Sequence, residues 1–413
     1  MKKLFTIFSC CVFSINIYSQ MNTDSLWNIW NDTMQEDTLR MEALHKVAFY
    51  KYTYTNPDSC FKLADILLSF AEQNNYKKWV GKSYNLMGNS FYVLGDFKLA
   101  LDYYNLSIEK YKEINFDRGV NRLLSNIAGI YNIQGNYVKA LETYHLALSR
   151  NLNDSLFSSI IFNNMAAIYY SQSDFQKALD FFEKSLLIKE KLNEKRYLTY
   201  VYNNIGECLT KLGNRQKAMI NFKKALQYAI NNGDLRGKTN AYINIGIYHM
   251  ESRHYKTALD IFFLALNVIE ERNSKLDLSR CYNNIGDVYY RIGDFNKARF
   301  NLNKAMLLAK EIGSDEQQML IAEVLYKLHK QSGELKMALK MYELQISKRD
   351  SINSANNQKG IISQEYQYEY EKKTLADSIF NAEEAKLKQA EIELHKSQLN
   401  KERIIRIGMI VLL

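Results

Sequence analysis

Between residues 41 and 350 apolar side chains recur at helical three- and four-residue spacing, in paired segments joined by a short polar turn. No stretch alternates with a period of two for long enough to make a sheet strand. The turns begin at Gly95, Gly135, Ser173, Gly213, Arg253, Gly293 and Gly333, with successive gaps of 40, 38, 40, 40, 40 and 40 residues. Two of them, Gly95-Asp96-Phe97 and Gly293-Asp294-Phe295, are identical, and Lys-Ala-Leu or a close variant follows. A constant period of this size predicts a solenoid, in which each unit buries its apolar face only by stacking on its neighbours.

Side-chain size around the turns shows what the unit is. Seven residues before the turn residue stands a small residue, Gly88, Ala128, Ala166, Gly206, Gly246 or Gly286. Five residues after it stands alanine, at Ala100, Ala140, Ala178, Ala218, Ala258, Ala298 and Ala338. Small residues flanking a short turn let two antiparallel helices approach closely, so the unit is a helical hairpin. Phe91, Tyr131, Tyr169 and Tyr289 on the first helix fill the remaining space, as do Tyr104, Tyr144, Phe182, Phe222, Phe262 and Tyr342 on the second. Small residues recur near the end of the second helix, from Ser107 to Ala305, where the next hairpin is expected to dock.

This small-aromatic-glycine-alanine-aromatic-alanine order resembles the tetratricopeptide repeat (TPR) family, over six or seven units covering roughly residues 81 to 350. The usual TPR period is about 34 residues, so each unit carries about six more, worth roughly 9 Å of helix. The units are similar to the long-helix type of kinesin light chains and of bacterial quorum-sensing regulators that bind signal peptides. An eighth, degenerate hairpin fits residues 41 to 80, where Asn56 is suited to cap and Pro57 to open a helix. The expected fold is an all-α, TPR-like α-solenoid of about eight helical hairpins followed by a long C-terminal helix. The expected divisions are a signal peptide (1–19), an N-terminal helical cap (20–80), the solenoid (81–353), a long charged helix (354–403) and the start of a transmembrane segment (404–413).

The resemblance implies that the first helices line a concave groove, and those helices carry a ladder of asparagines. Asn126, Asn164, Asn204, Asn244 and Asn284 share one register, nine residues before the turn, and Asn163, Asn203 and Asn283 precede three of them. An amide offers donors and an acceptor, so such a row suits the main chain of an extended peptide. The alternative is that some of them bond neighbouring helices and fix the stacking. The carboxylate clamp of chaperone-binding TPR proteins does not fit: Asn89 and Asn126 match, but Asn85, Ile160 and Asn164 stand where its cations belong. The candidate peptide-binding set is therefore Asn85, Asn89, Asn126, Asn163, Asn164, Asn203, Asn204, Asn244, Asn283 and Asn284, with a protein or peptide as partner.

Composition narrows the function further. One proline and 17 glycines among 413 residues leave the helices uninterrupted. The formal charge of +9 falls to +7 without Lys2 and Lys3, and acids interleave with bases on every helix, which argues against nucleic acid as a partner. Phosphate-binding, dinucleotide, nucleophile-elbow and zinc-helix motifs are lacking and the six histidines are scattered, so neither catalysis nor a cofactor is expected. Cys60, Cys208 and Cys281 are widely separated, and buried packing is expected of them rather than a disulfide or a metal.

The two ends suggest export and anchoring. Met1-Lys2-Lys3, the apolar run Leu4 to Ile17 and Ser19 read as a cleavable leader. Leu387, Ala390 and Leu394 follow three-four spacing while Glu383, Ser397 and Lys401 break the heptad, which leaves a single helix and a dimeric coiled coil both open. Ile404 to Leu413 is apolar except for Arg406 and reads as the opening of a membrane segment, although Lys401, Arg403 and Arg406 carry the charge usual on the cytoplasmic side. The order resembles the sensing part of bacterial TPR-linked sensor histidine kinases and transcription regulators, located in the cell envelope with an output domain outside this sequence. The competing expectation is a stand-alone TPR scaffold that assembles partner proteins.

Overall fold

The computed structural model describes residues 23–150, 154–194, 197–272, 274–353 and 388–389. The leader at 1–19, most of the charged segment 354–403 and the apolar segment 404–413 lie outside them. The chain divides into two compact units, Met1–Gln358 and Lys359–Leu413, and the hairpins belong to the first. Among the described residues there is no strand.

Seven hairpins follow one another. The first helices are α4 (Lys77–Leu94), α6 (Asp117–Ile133), α8 (Ser155–Ser171), α10 (Leu198–Lys211), α12 (Leu235–Glu251), α14 (Lys275–Arg291) and α16 (Asp315–Gln331). Their partners are α5 (Phe97–Glu113), α7 (Tyr137–Ser149), α9 (Phe175–Lys191), α11 (Arg215–Asn231), α13 (Tyr255–Arg272) and α15 (Phe295–Glu311), with α17 (335–353) completing the last. Before them stand α1 (Thr23–Asn31), α2 (Asp37–Lys46), a π-helical turn (Val47–Tyr52) and α3 (Pro57–Gln73). The 38-residue gap falls where α7 is short, at 13 residues against 17 for α5 and α9.

The turns share one hydrogen-bond pattern. At each, the residue after the turn residue donates to a carbonyl five back, as from Asp96 to Phe91 and from Asp294 to Tyr289, while the turn residue donates three back, as from Gly95 to Tyr92. This double bond pattern closes the first helix and requires a left-handed residue at its end. All seven turn residues adopt that conformation, including Ser173 (φ 62°) and Arg253 (φ 62°), which carry a side chain in a region that favours glycine. The next residue then caps the second helix: Asp96, Asn136, Asp174 and Asp294 each accept a bond from the backbone N–H three residues on. Such a cap contributes about 1 kcal/mol. A second punctuation mark lies between hairpins, where Asn75, Asn115, Asn193, Gly233 and Gly313 are also left-handed. This row keeps the same period as the first.

The small residues do what their size predicts. A β-carbon placed on Gly88 would lie 2.6 Å from the Tyr104 ring, and one on Gly286 would lie 2.6 Å from the Leu302 side chain. Phe222 and Phe262 cover Gly206 and Gly246 in the same manner. Tyr104, Tyr144, Phe182, Phe222 and Phe262 are buried, whereas Tyr342 on α17 is 46% exposed, with the Tyr326 ring 5.4 Å away between centroids. The small residues at the ends of the second helices are buried as well, but the hydroxyls of Ser107 and Ser185 bond back to the carbonyls of Gly81 and Ser159, on the first helix of their own hairpin. They fasten the hairpin as well as making room for the next.

Candidate functional site

Each second helix lies between the first helix of its own hairpin and that of the next. The first helices also touch one another directly, α6 on α8, α10 on α12, α12 on α14 and α14 on α16. The first helices thus form a wall of neighbouring side chains over much of the stack, the wall a ligand in a groove of this repeat type would meet.

The ten asparagines do not share one environment. In the row nine residues before the turn, Asn126, Asn204, Asn244 and Asn284 are half-exposed, while Asn164 is 6% exposed. In the row before it, Asn163 and Asn203 are buried, at 6% and 3% exposure. Both polar atoms of the Asn203 amide, and the Oδ1 atoms of Asn85 and Asn283, are enclosed without a hydrogen-bond partner among the described residues. Asn89 accepts a bond from the Tyr104 hydroxyl at 2.8 Å, which ties α4 to α5. A one-residue step turns an α-helical side chain by about 100°, enough to separate an inner-facing row from one wedged between helices. The structure thus brings Asn126, Asn204, Asn244 and Asn284 onto accessible surface and sets Asn163, Asn164 and Asn203 within the packing.

Glu207 joins this surface and was not among the sequence candidates. It stands three residues after Asn204, one turn along α10, and Asn244 Nδ2 donates to its Oε1 across the α10–α12 contact at 3.3 Å. Burial raises the pKa of its carboxyl; the Asn244 hydrogen bond and the charges of Arg280 and Lys211 oppose that rise. The signal that identifies it is position: an acid three residues after a ladder asparagine lies on the same helical face. Asp287 holds the equivalent place on α14, where Arg291 neutralises it with two bonds of 3.1 and 3.0 Å.

The remaining chemistry-bearing groups are built into the packing. Cys60, Cys208 and Cys281 are free and buried, and burial pushes the Cys208 and Cys281 thiols up to about 12, so they stay protonated. His249 and His254 lie 5.9 Å apart between ring centroids, because the Arg253 turn folds the chain back on itself. Burial lowers the His249 pKa, which keeps the ring neutral. Among the described residues, no group of three or more His, Cys, Asp or Glu side chains is placed to hold a metal ion.

Comparison with known proteins agrees with this geometry. Residues 119–191, 157–231 and 237–311 match the tetratricopeptide repeat model, so the middle of the chain carries TPR repeats. No curated protein matches the chain by sequence. Among solved structures, apo RapI is similar over 66% of this chain and 99% of its own, at 14% identity and a TM-score of 0.55. A Rap protein complexed with Competence and Sporulation Factor is similar over 80% of this chain and 92% of its own, at 16% identity and a TM-score of 0.53. Aspartyl phosphate phosphatase F from Bacillus subtilis is similar over 80% and 88%, at 15% identity and a TM-score of 0.50. At such identities the likeness is one of fold.

Proposed function

We propose that this TPR-like solenoid is a non-catalytic module that binds a protein or peptide along the inner face of its first helices. The observation that carries the reading is the row Asn126, Asn204, Asn244 and Asn284, four half-exposed amides held in one register on a wall of stacked helices. A regular ladder of donor-acceptor groups suits a partner that is itself regular, and an extended main chain is the simplest such partner. A Rap protein of the same fold was crystallised with Competence and Sporulation Factor, which accords with a ligand-binding use of this architecture.

The test is binding of a random ten-residue peptide library to the full chain, wild type and with Asn126, Asn204 and Asn284 changed to alanine together. None of the three has a side-chain bond that the fold needs, and each lost hydrogen bond costs about 1 kcal/mol, so affinity should fall by at least about tenfold. Unchanged affinity in the triple variant would remove the amide row from the mechanism.

We place the module, further, in the sensing part of an exported, membrane-anchored signalling protein. The basic start and apolar run of residues 1–19 and the apolar residues 404–413 support this. No described helix is long and apolar enough to cross a membrane, so those two segments carry the assignment. Fractionation of cells producing the native protein checks it: recovery in the membrane fraction, open to protease added from outside, is the expected result. Recovery in the cytosol would leave the scaffold reading in its place.

A further inference from the structure

Glu207 differs from the other acids of the inner face in having no partner of opposite charge at hand. Asp287 is held by Arg291, and Glu251 meets Arg215 at 3.1 Å. Among the described residues no lysine or arginine nitrogen comes within ion-pair distance of Glu207. Arg280, whose charge acts on it, also lies 3.8 Å from Asp277, and Asp277 is itself held by Arg272 at 3.1 Å. Lys211, one turn along α10, also acts on it by charge, and the charge of Glu207 in turn acts on the Tyr170 hydroxyl of α8. The carboxyl is therefore set into the wall of the stack with one side-chain hydrogen bond, from a neutral amide, and among the described residues no cation is in direct contact with it. Desolvated acids normally have a paired cation or carry a functional duty.

The geometry points to Glu207 as the counter-charge for an ammonium group on the bound peptide, a lysine side chain or a free amino terminus, flanked by Asn204 and Asn244 on the adjoining main chain. This rests on the groove reading given above. A compact ammonium needs only the Oε2 that Asn244 leaves open, whereas a guanidinium in its two-bond fork would have to share Oε1 with that amide. Burial raises the cost of leaving the carboxylate unpaired, so a ligand cation that reaches it gains more there than at the exposed acids of the outer surface.

The experiment uses the full chain, wild type, Glu207→Gln and Asp287→Asn, against a random ten-residue peptide library synthesised with free and with acetylated amino termini. Gln keeps the shape and can still accept the bond from Asn244; circular dichroism confirms an unchanged fold. Peptides bound by the wild type should be enriched in lysine at one position, or lose binding on acetylation, and the two outcomes distinguish the side chain from the terminus. Glu207→Gln should weaken those peptides by about tenfold or more and abolish the preference, while Asp287→Asn, already neutralised by its own arginine, leaves both unchanged. Binders without a cationic preference, or the same preference in Glu207→Gln, overturn the assignment while leaving the groove intact. Absence of any binder to the wild type overturns the groove reading and this inference with it.

Discussion

The N-terminal region before Lys77 and the seven hairpins after it are both helical, yet they are held together in different ways. In the hairpins a small residue on one helix receives a large side chain from the other, a ring at Gly88, Gly206 and Gly246 and Leu302 at Gly286. The N-terminal region instead relies on mixed polar and aromatic clusters. Arg40 lies over the rings of Trp30 at 5.3 Å and Phe70 at 5.0 Å, bonds the Trp30 carbonyl at 3.0 Å and pairs with Asp37 at 3.1 Å. Lys82 reaches from α4 to lie over Trp79 at 3.6 Å and to meet Glu42 at 3.2 Å. His45 stacks on Phe49 at 6.2 Å and meets the edge of Trp79 at 6.1 Å. The regular units are fitted to one another by shape, whereas the helices before Lys77, which lack that repeat, are joined to each other and to α4 by charge and rings.

The sharpest way to break the contrast is to remove one of the fitted rings. Phe262→Ala empties a fully buried site against Gly246 and should cost about 3–5 kcal/mol, the usual range for a core phenylalanine. Urea unfolding followed by circular dichroism should then show a separate early transition, since the hairpins on either side communicate only through this one. A single undivided transition would mean that the stack is more cooperative than nearest-neighbour packing implies.

The N-terminal region should show its different construction in acid. Burial, with Lys82 and Lys46 nearby and only Glu42 opposing them, holds His45 down at about 4 against its ordinary 6.5. In this window the unfolded chain binds the proton more readily than the folded one, so stability is lost as pH falls from about 6.5 to about 4, by up to about 3 kcal/mol. His45→Phe keeps a ring between Phe49 and Trp79 and should remove most of that slope. All three tryptophans, Trp27, Trp30 and Trp79, lie in or beside this region, so their fluorescence during urea titration reports it separately from the hairpins. Equal acid sensitivity in the two proteins would exonerate the histidine.

The smallest expected effect runs the other way. Arg253→Gly relieves a side chain from the left-handed conformation and should stabilise its hairpin by about 1 kcal/mol, read as a later urea midpoint. If the midpoint falls, the arginine contributes a contact that outweighs the strain.

How much of this is legible in the chain follows from what repeats. The hairpin is readable because Gly95, Ala100 and their counterparts recur in a fixed frame, and the Asn56-Pro57 start of α3 is readable because a cap and a helix-opening proline are local signals: Asn56 accepts from the Ser59 N–H at 3.1 Å, with Pro57 in the first turn. The π-helical turn at Val47–Tyr52 has no such mark, since it depends on how α2 and α3 meet. The asparagine rows were visible as a ladder but not as two environments. Sequence spacing places Asn203 and Asn204 one residue apart, and only the packing shows that the first is enclosed and the second open. Glu207 escaped notice because acids at its register recur only once more, as Asp287, and the distinction between the two, an arginine bonded to Asp287 but no cation bonded to Glu207 among the described residues, is one of contact and not of spacing.

The turn geometry has a consequence for how such a chain changes length. Each hairpin closes with bonds to its own backbone and meets the rest through surfaces that recur every forty residues. A duplicated stretch spliced in at one turn would meet a partner of similar size and a turn of the same geometry, so a chain built in this way can gain or lose a whole unit while its remaining residues keep neighbours close to those they had.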